Sequence, residues 1–266
     1  MSQRTRPEYA TLTLDYDGPL AVLTLNRPDK RNAISYELID ELLRALQQIE
    51  KSDAQILILT GAGKAFCSGM DLDNLRAITQ RAPDENRADS EMMAHLFCSL
   101  YDFPKVTIAA VNGPAIAGGC GLATLCDFTL TSAEASFGYT EVRIGFLPAI
   151  VSTFLLRQVG EKHARDLLLT GRIIGAEEAF RIGVVNEVVA PDKLQERARE
   201  LASVLLRNSP ASLLATKRLL RKYSSAELDQ QVAAAVEENA RIRTTDDFRE
   251  GVSSFLEKRR PRWTGK

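Results

Sequence analysis

Two short segments of this sequence place small residues where the backbone itself could do chemistry. One is Lys64-Ala65-Phe66-Cys67-Ser68-Gly69-Met70-Asp71-Leu72, and the other is Asn112-Gly113-Pro114-Ala115-Ile116-Ala117-Gly118-Gly119-Cys120-Gly121. Each follows a continuous apolar run, Ile56–Thr60 or Val106–Val111, that reads as a buried strand, and each leads into a helical pattern. A strand that turns into a helix leaves N–H groups free at the helix start, where negative charge is favoured. Two such ends facing one another could donate to a single oxygen and form an oxyanion hole. Glycines that serve only tight turns and close packing would give the same pattern, and the spacing leaves both readings open.

Other chemistries fall away. Gly61-Ala62-Gly63-Lys64-Ala65 lacks the upstream glycine and the Ser/Thr after Lys64 that a phosphate loop needs. Ser68 has Phe66 two positions before it, not glycine, so it is no nucleophile elbow. The two histidines, His95 and His163, stand apart in helical patterns and form no metal motif. Asp71 and Asp73 read as a helix start beside the positive end of the dipole. No metal is expected.

The composition sets the frame. The chain has 266 residues, one large domain or one domain with an appendage. With 45% apolar and 26% charged residues it must bury a core. Thirty-four Lys+Arg against 35 Asp+Glu leave a net charge of −1, so no global field recruits nucleic acid or an anionic membrane. No apolar run approaches the ~20 residues of a membrane span. Met1–Pro7 carries no apolar signal core, and four cysteines make no disulfide scaffold in a chain this long. The expected location is the cytoplasm, with reduced thiols.

The elements that must position the two segments are legible in outline. Thr11–Leu14 and Leu20–Leu25 alternate around a turn at Asp17-Gly18-Pro19. Ser35 is an N-cap for a helix carrying Leu38, Ile39, Leu42, Leu43, Leu46 and Ile49 on one face. Residues 79–91 are polar and broken by Pro83, which predicts a mobile loop; Met93, Leu96, Phe97 and Leu100 then line a second helix. The unit of strand, glycine loop and helix recurs around Gly118-Gly119 and near Gly171. From Asp192 onward only helical patterns remain, with Ser209-Pro210 opening one of them. The expectation is an α/β body over residues 1–195 and a helical region over 196–266. The apolar faces of that region suit a subunit interface or core packing.

Taken together, these residues resemble a family. Leu25-Asn26-Arg27-Pro28…Asn32-Ala33, Phe66-Cys67-Ser68-Gly69-Met70-Asp71-Leu72, Ala110-Val111-Asn112-Gly113…Gly118-Gly119, Cys126-Asp127, Phe137-Gly138 and Thr170-Gly171-Arg172 follow the order and spacing of the crotonase superfamily, the enoyl-CoA hydratases and isomerases. The resemblance implies an α/β spiral of repeated ββα units followed by a C-terminal helical trimerisation region, in a homotrimer or dimer of trimers. It implies an acyl-CoA thioester as substrate, with no cofactor. By motif, the backbone N–H groups of Met70 and Gly118 would hold the thioester oxygen. Ala33 and the stretch Ser68, Met70, Asp71, Leu72 and Asp73 would line CoA. Phe255 and Lys258 match a C-terminal pair that reaches CoA, often from a neighbouring subunit.

The acid–base pair departs from the family's best-known hydratases. Those carry two glutamates; here one matches Glu141, and the other position is Gly121, whose gain would be space for substrate or water. The first glycine of the family's triplet is Ala117. The leading expectation is a lyase, a hydratase in which Glu141 alone handles the proton, as in the feruloyl-CoA hydratase-lyases. The stretch Thr140–Ala149 is also similar to the methylglutaconyl-CoA hydratase branch of leucine degradation, and Arg143 would favour a carboxylated acyl chain if it faces the pocket. The alternative is a Δ3,Δ2-enoyl-CoA isomerase, which needs only one base. A remoter alternative is an acyl-CoA- or RNA-binding non-enzyme, suggested by the basic tail Lys258–Trp263.

Overall fold

Leu12–Asp17 (β1) turns at Gly18, in the left-handed region at φ 55°, and pairs antiparallel with Leu20–Leu25 (β2). The computed structural model describes residues 9–266; Met1–Pro7, where the sequence shows no signal core, lies outside them. Ile56–Gly61 (β3), Val106–Val111 (β4), Phe128–Ser132 (β6) and Glu187–Val189 (β9) add in parallel, giving the order β1-β2-β3-β4-β6-β9. A smaller sheet joins Ala115–Ile116 (β5), Ser136–Gly138 (β7) and Ile173–Gly175 (β8) in the order β5-β7-β8.

The helices follow the strands: Tyr36–Glu50 (α1), Leu72–Ile78 (α2), Pro83–Tyr101 (α3), Gly118–Thr124 (α4), Ala149–Thr170 (α5, broken at Gly160), Ala176–Arg181 (α6) and Leu194–Leu206 (α7). Pro210–Ile242 (α8) and Asp246–Leu256 (α9) complete the chain. The apolar runs of β3 and β4 are continuous because both sheet faces are covered. Leu57 and Leu59 pack with Leu38, Leu42 and Leu96, whereas Ile56 and Ile58 pack with Leu194, Ala198 and Ala202 of α7. Ser35 caps α1 as expected, its Oγ accepting from Leu38 N at 3.2 Å. After β9 the chain is helical.

The loop expected over 79–91 is instead the start of α3. Pro83 occupies the first turn, and the Glu85 carboxylate caps the Ala82 N–H at 2.8 Å. Its polar residues misled the sequence reading because they face inward. Asn86, Asp89 and Ser90 are buried, with Ser90 Oγ donating to Val236 O and Asp89 accepting from Arg81 and Arg243. Two of the partners, Val236 and Arg243, lie more than 140 residues away in sequence.

Candidate active site

The two glycine segments meet. Cys67 and Ala115 form a parallel bridge, with Ile116 N donating to Cys67 O at 2.9 Å and Cys67 N to Pro114 O at 3.2 Å. The approach is close enough that a Cβ on Gly119 would lie 2.3 Å from Cys67 O, so only glycine fits there. A second bridge pairs Ile34 with Met70. Ile34 N donates to Gly69 O and Ile34 O accepts from Asp71 N, so the groups flanking Met70 are spent on Ile34. In a parallel bridge the N–H between them points the other way. Met70 N–H finds no acceptor among the described residues, and neither does Gly118 N–H at the first turn of α4. Met70, Gly118 and Ile34 line one cavity of about 940 Å³.

Ala117, which opens α4, sits at φ 51° and ψ −125°, a conformation that costs a residue with a Cβ roughly 1–3 kcal/mol. Its N–H donates to Gly138 O at 2.7 Å, tying the turn to β7. Ala117→Gly should therefore raise thermal stability, by about 1 kcal/mol after the entropy that glycine adds to the unfolded chain. Thermal denaturation of both proteins checks this, and an unchanged or lower midpoint would mean that the turn is unstrained.

Glu141 opens a 3-10 turn, Glu141–Ile144, closed by Gly145 in the left-handed conformation and by Phe146 N donating to Glu141 O at 3.0 Å. The side chain lines the same cavity, is 8% exposed, and its Oε2 has no hydrogen-bond partner among the described residues. Burial penalises the carboxylate and pushes the Glu141 pKa up to about 7, opposed weakly by its own backbone N–H. A carboxyl group half ionised near neutrality, in the same cavity as two free N–H donors, can take and return a proton while an oxyanion is held.

Of the other expected residues, Ala33, Ser68, Asp71, Leu72, Asp73 and Phe255 line the cavity. Asp71 is also committed to structure. Its carboxylate caps α2 through Asp73 N at 3.0 Å and pairs with Arg27 at 2.9 Å. The Leu25–Ala33 stretch is pinned by Asn32, whose amide bonds Arg27 N, Ala62 O and Ala65 O. Arg143 also lines the cavity, and its guanidinium has no ion partner among the described residues.

Lys258 takes a left-handed conformation (φ 56°) after α9, and the basic residue at this chain's own cavity wall is Arg259, paired with Glu250 and Glu257. One expectation needs correcting. Gly121 gives no free space. A Cβ there would lie 2.6 Å from Val151 Cγ1 and 3.3 Å from the Phe97 ring, so an apolar wall already fills the room. The sequence reading also missed Arg243 and Asn239, both buried and both lining the cavity. Nothing local marks Arg243 as buried, because its ion partner, Asp89, lies on α3, and Asn239 in turn accepts from Arg243.

A family model, enoyl-CoA hydratase/isomerase, matches residues 16–266. The chain belongs to this family. It is 46% identical over 247 residues to a Thermus thermophilus protein named "Putative enoyl-CoA hydratase", covering 92% of this chain and 98% of that one. It is 34% identical to the short-chain-enoyl-CoA hydratase of Clostridium acetobutylicum, over 95% and 97% of the two chains. A solved enoyl-CoA hydratase/isomerase from Xanthobacter autotrophicus superposes with a TM-score of 0.87 at 31% identity, over 94% of this chain and 97% of that one. The crotonase-type α/β fold expected from the motifs is thus the fold of the family and of this chain, which is an enzyme of the lyase class. Among the described residues there is no cluster of His, Cys, Asp and Glu that could hold a metal, and no helix is long and apolar enough to cross a membrane.

Proposed function

We propose that this hydratase-family enzyme adds water across the 2,3 double bond of an enoyl-CoA thioester, with Glu141 as its single acid–base residue. The observation that carries the reading is the buried, unpartnered carboxyl oxygen of Glu141 in the same cavity wall as the free N–H groups of Met70 and Gly118. The Glu141 carboxylate accepts a proton from water as the water oxygen bonds to C3. The electron pair of the double bond moves toward the thioester, and Met70 and Gly118 donate to the oxygen that gains charge. Glu141 then returns its proton to C2, so the carboxylate is regenerated and no second carboxyl is consumed. Lys30, Arg31 and Arg76, exposed side chains that line the cavity, suit the phosphates of CoA. Relatives named as hydratases support water addition over a shift of the double bond.

The test is incubation with crotonyl-CoA in heavy-oxygen water. Label should appear in a 3-hydroxyacyl product; a shifted double bond without label would overturn the proposal. The pH profile follows from the same group. Only ionised Glu141 can accept the proton, so kcat/KM should rise about tenfold per pH unit below about 7 and level off above it. A profile flat from pH 5.5 to 8 would remove Glu141 as the base.

The apolar side chains Leu219, Leu220 and Tyr223, exposed on α8, support self-association as a trimer or dimer of trimers. Sedimentation velocity decides between these and a monomer.

A further inference from the structure

We propose that the cavity is built to accept an enoyl chain bearing a carboxylate at its far end, a proposal that rests on the enoyl-CoA reading of the site. Most side chains around the reacting groups are apolar. Gly118 is flanked by Phe97 and Met93, and Gly121 by Phe97 and Val151. The same cavity is also lined, at the end of α8, by Asn239 and Arg243 at 6% and 2% exposure.

The hydrogen bonds of this pair leave donors over. Arg243 gives one terminal nitrogen to Asp89 Oδ2 and the other to Asn239 Oδ1 at 2.7 Å, while its Nε has no partner among the described residues. The amide oxygen of Asn239 accepts from the guanidinium, and its Nδ2, which has no protein acceptor among the described residues, is not closed off from solvent, so Arg243 Nε is the buried donor left over. A buried donor with no acceptor is a standing cost, which an acyl methyl group would leave in place and a carboxylate would remove.

Charge leads to the same conclusion. Asp89 is shared by two guanidiniums, Arg243 on one oxygen and Arg81 on the other at 2.8 Å, so the cluster carries one positive charge in excess. Arg81 reaches solvent in part, but Arg243 does not, and its guanidinium lies 5.4 Å from the centre of the Phe146 ring. Phe146 is also the residue whose N–H fixes the Glu141 turn. Phe146 thus links the Glu141 turn to the cation.

The experiment compares two substrates of equal length, 2-hexenoyl-CoA and 2-hexenedioyl-CoA, with crotonyl-CoA as reference. In the wild-type chain the dicarboxylic substrate should have the higher kcat/KM by at least about tenfold, the worth of one charge-assisted hydrogen bond. In Arg243→Leu and in Asn239→Leu the ratio of the two substrates should fall toward one. A ratio taken within one protein cancels any general loss of activity, and Asn239→Leu serves if Arg243→Leu does not fold. Hydration of crotonyl-CoA and 2-hexenoyl-CoA without preference for 2-hexenedioyl-CoA would overturn this proposal and leave the hydratase reading standing. A preference that survives both variants but vanishes in Arg143→Leu would overturn it as well. If none of the three is hydrated, the hydratase reading fails. Calorimetric binding of the unreactive adipoyl-CoA and hexanoyl-CoA then decides the matter, and equal affinities would sink the carboxylate site.

Discussion

Glu141→Gln should lower kcat by about 10²–10⁴-fold while leaving KM nearly unchanged. Glutamine keeps the shape of the side chain but cannot take a proton from water or return one to C2. No second carboxylate compensates, because the opposing position is Gly121, backed by Val151 and Phe97. In the proposed mechanism the thioester oxygen is held by the backbone N–H groups of Met70 and Gly118, which the substitution does not touch, so binding should survive. Steady-state kinetics of the two purified proteins is the measurement, and activity within a factor of about two would remove Glu141 from the mechanism. A second readout separates this from misfolding. Burial raises the Glu141 pKa from 4.5 to about 7, so the folded chain holds a proton there that the unfolded chain has released. Its contribution to stability is therefore present below 4.5 and lost as pH rises to about 7. Glutamine carries no such penalty. At pH 8 the inactive variant should be the more stable one, by on the order of 3 kcal/mol at most.

Gly121→Glu should destabilise the enzyme without making it a faster hydratase. The new Cβ would overlap Val151 Cγ1, and overpacking of this kind costs roughly 1–3 kcal/mol. The carboxylate would sit against Phe97 and Val151, where nothing apolar compensates its charge. If it did reach Glu141, the like charge would raise a pKa that is already high, and so deplete the ionised base at neutral pH. Gly121→Glu/Val151→Ala should regain part of the lost stability, because the deleted methyl groups are the ones in the way. A large gain in crotonyl-CoA hydration by Gly121→Glu alone would show that the missing carboxyl was all that limited the rate.

How much of this could be read from the sequence depended on where each residue's partners lie. β3, β4 and α1 were legible because their burial is written in consecutive or regularly spaced apolar residues, and Ser35 because a cap acts within one turn. The two glycine segments were legible as tight turns after buried strands, but the direction of the Met70 N–H was not, since it is set by the bridge to Ile34. Residues 79–91 were misread because Asp89 and Ser90 are satisfied by α8 and the turn after it, a pairing that no local pattern encodes. Arg243 was invisible for the same reason. Arg259 was not singled out, since only the turn after α9 brings it to the cavity wall. Gly121 was correctly read as lacking a base, but the filling of its space by Val151, thirty positions on, needed the fold.

α9 closes the cavity of its own chain. A Cβ on Gly251 would lie 2.2 Å from Ile144 O and one on Gly145 2.3 Å from Asp247 O, so this helix is laid directly on the turn that begins at Glu141. Phe255 and Arg259 thereby join Glu141, Met70 and Gly118 in a wall drawn from one polypeptide. The genetic consequence is that lesions will not complement. A cell making two defective copies, one carrying Glu141→Gln and the other lacking α9, should recover no turnover in any mixed assembly. When intact and defective copies mix, activity should track the intact fraction linearly, and a heterozygote should be merely half as active.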